Sequence, residues 1–157
     1  MNEPLPTLNI IVQKAPGTGK THLSKLLASA MDTLFGRGTS YLISRPLRFG
    51  DYALHTFLQL TLAIMEALSK NQTVFLDISG YDFETFLDLS TLDQNGDLYG
   101  GKGPPVAIHI PITKLTKSTV FIQRILNHYD CDNVSTIVWE NHFFGPVKMK
   151  GDFLSYL

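Results

Sequence analysis

The chain alternates between two kinds of apolar pattern, and that alternation restricts its fold more than any other feature. Short apolar, β-branched runs recur at residues 8–12, 40–44 (SYLIS), 73–78 (TVFLDI), 106–110 and 134–139. Such runs read as buried strands. Between them, apolar residues return at helical spacing. Leu23, Leu26, Leu27 and Ala30 form one stripe, and Leu54, Leu58, Leu62, Met65 and Leu68 form another within a long helix over 51–69. Phe83, Phe86 and Leu87 suggest a short helix, and residues 118–128 a further one. Pro46 halts the second strand, and the polar, glycine-rich stretch 90–105 reads as a long loop. Strands that alternate with helices join in parallel through right-handed crossovers. The prediction is a single α/β domain with a five-stranded parallel sheet covered on both faces.

At 157 residues the chain can bury one substantial core. A formal net charge of −1 provides no general attraction to nucleic acid or anionic lipid, so direct DNA binding is not expected. Cys131 is the single cysteine, which excludes a disulfide framework. No apolar run opens the sequence and none is long enough to cross a membrane, so the expected setting is the cytoplasm. The five histidines form no pair at metal-ligand spacing on a helix face, and no zinc site is expected. Asp93-Gln-Asn-Gly-Asp97 resembles the start of a calcium loop. It has Leu98 where that loop needs glycine and Pro104 where it needs a bidentate glutamate, so it reads as a surface turn.

The chemistry concentrates where the first strand ends. The stretch "VQKAPGTGKTHLSKLL", residues 12–27, is strand, glycine loop and helix in succession. That order lets backbone N–H groups of the loop and the helix N-terminus converge on one anion. Gly17 and Gly19 permit close backbone approach. Lys20 would reach the β and γ phosphates of ATP, and the Thr21 hydroxyl would bind Mg2+. Pro16, Gly17, Thr18, Gly19, Lys20, Thr21 and His22 are the expected phosphate-binding residues. The pattern G-x-x-x-x-G-K-[ST] departs at its first position, which is Lys14. A second signal is "VFLDISG", residues 74–80. An aspartate closing a buried strand, Asp77, would hold the magnesium. Gly80, three residues on, would offer its N–H to the γ phosphate. Lys20 and Asp77 are the candidate catalytic residues, and Thr21 and Asp77 the candidate metal residues. A magnesium strand in third place suggests that strands one and three are neighbours. The expected fold is thus a three-layer, P-loop NTPase-like sandwich with strand order 2-3-1-4-5.

Residues 135–153 (STIVWENHFFGPVKMKGDF), together with 106–120 (VAIHIPITKLTKSTV), resemble the C-terminal half of the StbB/TraL-type plasmid ATPases, in the ParA/MinD branch of P-loop proteins. The specific part is a strand ending Val-Trp-x-Asn, followed by an aromatic pair and Gly-Pro. The resemblance implies an ATPase acting in plasmid stability, partition or conjugative transfer through nucleotide-dependent dimerisation, with a plasmid-maintenance protein as partner. It also implies that Asn141 contacts the adenine. Two departures stand out. The branch's signature lysine falls at Ala15, with Lys14 one place earlier. The branch ends its second strand in an aspartate that orients water, whereas here Arg45 follows the strand and Asp51 lies beyond Pro46 and Gly50. Hydrolysis is therefore expected to be slow or absent. The loop also resembles that of AAA+ ATPases, but Ile78 stands where those proteins carry a catalytic glutamate. Two alternatives stay open. One is a small-molecule or nucleotide kinase, with Arg45, Arg48 and the 90–105 loop as acceptor site and lid. The other is a degenerate, non-hydrolysing nucleotide- or partner-binding module.

Overall fold

The computed structural model describes residues 5–13, 17–44, 53–79, 82–85, 104–114, 119–128 and 133–145. Five strands form one sheet: β1 (Leu8–Gln13), β2 (Ser40–Ile43), β3 (Thr73–Ser79), β4 (Val106–Thr113) and β5 (Val134–Asn141). Every pairing is parallel and the order is β2-β3-β1-β4-β5, as the sequence predicts. Three helices connect them: α1 (Lys20–Phe35), α2 (Ala53–Ser69) and α3 (Thr119–His128). Among the described residues no helix is long and apolar enough to cross a membrane.

The pleat divides the sheet into two faces. One carries the main core: Leu8, Ile10 and Val12 of β1, Val74, Leu76 and Ile78 of β3, and Val106, Ile108, Ile110 and Ile112 of β4. Phe57, Leu60 and Ile64 of α2 and Phe121, Ile122 and Ile125 of α3 seal this face. Phe83 of the helical turn at 82–85 is fully buried there, edge-on to Phe121 with centroids 6.4 Å apart. Phe86 and Leu87 lie outside the described residues. The opposite face holds a smaller cluster of Ile11, Phe75 and Ala28, flanked by Leu23, Leu27, Met31 and Leu42. Among the described helices only α1 covers it, so the expectation of helices on both faces holds with three helices divided two to one.

Two predicted helix faces are corrected. In α2 the expected stripe points outward: Leu54, Leu58, Leu62 and Met65 are 51–66% exposed, and only Leu68 packs against the core. The buried side is Phe57, Leu60, Ile64 and Ala67. The helix is apolar on two sides, and two interleaved stripes of one period cannot be ranked by periodicity. In α1, Leu26 and Ala30 are exposed, while Ser24 and Ala28 face the sheet. Small side chains there let the helix axis approach the sheet, and leucines at 23 and 27 fill the flanks.

The strand β4 runs on beyond its predicted end and through Pro111, which has no N–H for a ladder. Its register with β1 stops at Ile11 and His109, and with β5 it continues to Thr113 and Asn141. Past the break, the buried Gln13 donates its side-chain Nε2–H to the Pro111 carbonyl at 2.9 Å. A side chain thereby replaces a missing ladder bond at the end of β1.

Candidate functional site

The glycines and the first turn of α1 lie just past the carboxyl end of β1, which is the centre of the sheet. Gly17 and Gly19 take φ of +72° and +84°, the left-handed region that favours glycine. A Cβ at Gly19 would also come within 3.0 Å of Asn141 Nδ2. Thr18 between them is buried. The first bond of the helical ladder runs from Leu23 N–H to the Gly19 carbonyl at 2.8 Å. The N–H groups of Lys20, Thr21 and His22 precede it. Gly19 at the N-cap provides no side-chain cap and the first turn carries no acidic residue, so its N–H groups are not taken by a capping side chain of this helix.

Asp77 stands on β3 in register with Ile11 of β1, facing the side that α1 covers. It is 7% exposed. Lys20 Nζ forms an ion pair with its Oδ1. Thr21 donates its hydroxyl to Oδ2 at 2.7 Å. Ser44, just past β2, donates to the same Oδ2 at 3.0 Å. One carboxylate thus gathers an ammonium and a hydroxyl from the start of α1 and a second hydroxyl from just past β2. Among the described residues no three His, Cys, Asp or Glu side chains gather as a metal cluster. A cation here would therefore take hydroxyls, one carboxylate and oxygens from ligand or water. That donor set suits Mg2+, a hard ion that keeps few protein ligands.

The structure brings together Gly17, Thr18, Gly19, Lys20, Thr21, Asp77 and Asn141 from the predicted set, with His22 exposed on the same helical turn. Pro16 and Gly80 lie outside the described residues, as do Lys14, Ala15, Arg45, Arg48 and Cys131. Asn141 ends β5 beside the loop, and its amide is engaged by protein on both sides. Nδ2–H donates to the Thr18 carbonyl at 3.1 Å, and Oδ1 accepts from Phe143 N–H at 3.1 Å. In this arrangement it ties the loop to the fifth strand. Ser44 was not singled out by the sequence. Its signal is a hydroxyl at the end of the strand that neighbours the aspartate's strand.

A second polar cluster crosses the middle of the sheet on the same face. Trp139 of β5 donates Nε1–H to His109 Nδ1 at 2.9 Å, and the two rings stack with centroids 6.0 Å apart. Because Nδ1 accepts, Nε2 carries the proton and donates it to Asn9 Oδ1 at 2.9 Å. Asn9 Nδ2–H in turn donates to the Val74 carbonyl. Burial pushes the imidazole down to about 4, well below its ordinary 6.5. Both ring nitrogens are used and the ring is neutral, so this cluster offers no free ligand. Comparison with protein-family models, with curated proteins and with solved structures finds no significant match.

Proposed function

We propose that this chain is a magnesium–ATP-binding protein with a P-loop NTPase-like fold, working as a nucleotide-dependent switch in plasmid stability, partition or conjugative transfer. One observation carries the nucleotide reading. Lys20 and Thr21, adjacent at the uncapped start of α1, both bond the carboxylate of Asp77 on the neighbouring strand. The carboxylate holds the ammonium at the mouth of the loop. An entering triphosphate would draw Lys20 to its terminal oxygens, and the N–H groups of the first helical turn would receive its phosphates. Asp77 and Thr21 would then hold Mg2+, which neutralises charge between the phosphates. The sheet supports the same place, because strand order reverses at β1 and such sheets bind ligands beyond the carboxyl ends there.

The switch reading is preferred to a brisk ATPase because the end of β2 supplies the Ser44 hydroxyl, followed in sequence by Arg45, and no carboxylate. The plasmid role, the nucleotide-dependent homodimer and the plasmid-maintenance partner rest on the resemblance of residues 106–120 and 135–153 to the StbB/TraL-type ATPases. Calorimetric titration of Mg–ATP into wild type and Lys20→Ala tests the site. Loss of a charge-assisted bond should cost on the order of 1.5–3 kcal/mol of binding, roughly 10–160-fold in affinity. Equal affinities would remove the phosphate-loop assignment. Sizing the protein with and without Mg–ATP tests the switch: a nucleotide-driven dimer supports it, and a monomer that phosphorylates a metabolite supports the kinase.

A further inference from the structure

The two oxygens of Asp77 are unequally loaded. Oδ1 takes the Lys20 ammonium, whereas Oδ2 accepts from Thr21 at 2.7 Å and from Ser44 at 3.0 Å. The fold itself sets Ser44 there. The β2–β3 register pairs Ile43 with Leu76, so the next step along both strands brings Ser44 alongside Asp77. The β2–β3 ladder already fixes these strands over Ser40–Ile43, and the hydroxyl is not needed to hold them. A hydroxyl has one proton and two lone pairs. Thr21 and Ser44 here give their protons to Oδ2; rotated the other way, each hydroxyl would offer a lone pair to a cation instead.

The arrangement suits one. The Thr21 and Ser44 hydroxyl oxygens both lie within hydrogen-bond reach of the same carboxylate oxygen, at 2.7 and 3.0 Å, so three oxygens meet at one point beside the start of α1. A cation there would replace these hydrogen bonds, each hydroxyl turning its proton outward and a lone pair to the metal. We propose that Ser44 is a third protein oxygen of the magnesium site, joining Thr21 and Asp77. This rests on reading the site as one for a magnesium nucleotide. Because Ser44 is neutral, the described residues contribute a single negative charge to the cation. The remaining charge must come from the phosphates, so metal and nucleotide bind together, and the chain alone holds Mg2+ weakly.

The test separates metal from nucleotide in the full chain. Mg2+ is titrated calorimetrically into protein saturated with ATP, and ATP affinity is measured separately with the metal chelated. Ser44→Ala should weaken Mg2+ binding by roughly 10–100-fold, the range found when a partner of a metal site is removed. Its metal-free ATP affinity should match wild type, and Ser44→Thr should restore Mg2+ binding. Should the alanine variant not fold, Ser44→Cys keeps the size, replaces the hard oxygen with a soft sulfur, and should show the same loss. Unchanged Mg2+ binding in a folded Ser44→Ala or Ser44→Cys protein overturns the proposal. An equal fall in metal-free ATP affinity also overturns it, since Ser44 would then shape the loop. A wild-type protein that binds no ATP in either condition overturns the nucleotide reading and Ser44's role with it.

Discussion

Two polar clusters sit on one face of the same sheet, and they are built to opposite ends. The Asn9–His109–Trp139 cluster lies mid-sheet, is neutral, and satisfies both ring nitrogens with protein partners. The Lys20–Thr21–Ser44–Asp77 cluster lies at the strand ends, is charged, and crowds three donors onto one carboxylate beside an uncapped helix. Buried polar groups that are fully paired specify and stabilise a core. A largely buried ion pair adds little net stability, because desolvation offsets its attraction. The side chain of Lys20 is 20% exposed and that of Asp77 5%. The contrast teaches that burial alone does not mark a functional residue. His109 is as buried as Asp77, but only Asp77 has partners that a ligand could take over.

The comparison breaks if disabling the mid-sheet cluster harms nucleotide binding. His109→Ala removes a buried ring and strands the Trp139 N–H and the Asn9 carbonyl oxygen. It should cost on the order of 3–5 kcal/mol of stability, measured by denaturant unfolding. The folded fraction should bind Mg–ATP as wild type does. A large loss of affinity without loss of stability would move His109 into the site.

The same ring gives a pH signature almost as large. Its folded value of about 4 lies below the ordinary 6.5. Above about 6.5 the ring is neutral in both states and its stabilisation is complete. As pH falls from 6.5 toward 4, the unfolded chain takes up a proton that the folded chain refuses. Stability should decline through that window by up to about 3 kcal/mol and level off below it. Urea melts at stepped pH, for wild type and for His109→Gln, check this. If the slope persists in the glutamine variant, another group carries it.

Much of this contrast could be read from the sequence, but only one half of it. The strand order, the loop and the Lys20–Thr21–Asp77 association follow from spacing, because a glycine loop between strand and helix admits few geometries. Ser44 and the His109 cluster did not follow. Each depends on register between strands distant in sequence, such as Ile43 with Leu76 or His109 with Ile137. A single sequence carries no register. The outward stripe of α2 failed for another reason: Leu54 and Leu58 are as apolar as Phe57 and Leu60, and only tertiary packing chooses between them.

Asp77→Asn sharpens the comparison from the other side. The amide keeps the shape and loses the charge, so Mg2+ binding to the ATP-loaded protein should fall roughly 10–100-fold, or about 1.4–2.7 kcal/mol. Unfolding stability should fall less than for His109→Ala, because no ring volume is lost and the Lys20 ammonium, 20% exposed, can turn to solvent. A drop in melting temperature with an unchanged Mg2+ requirement would make Asp77 structural, and the two clusters would then be alike.

The smallest effect belongs to Asn141, which joins the loop to β5 through the Thr18 carbonyl. Two roles predict different chemistry for Asn141→Ala. As an adenine contact, its loss should weaken ATP and leave inorganic triphosphate unaffected, since that ligand has no base. As a strap on the Thr18 carbonyl, its loss should weaken both equally, because the loop holding the phosphates would be less well ordered. The geometry favours the strap: Nδ2–H donates to Thr18 and Oδ1 accepts from Phe143 N–H, so the amide already has protein partners on both sides. The expected cost is that of one ordinary hydrogen bond, about 0.5–1.5 kcal/mol, or roughly 2–13-fold in affinity. Gly19→Ala is the companion variant, because its Cβ would press on the same Nδ2 and must also adopt φ near +84°. It should weaken both ligands in parallel. Competition of ATP and inorganic triphosphate against a fluorescent nucleotide measures the two affinities. A loss confined to ATP in Asn141→Ala would return the residue to the base and leave the loop to order itself.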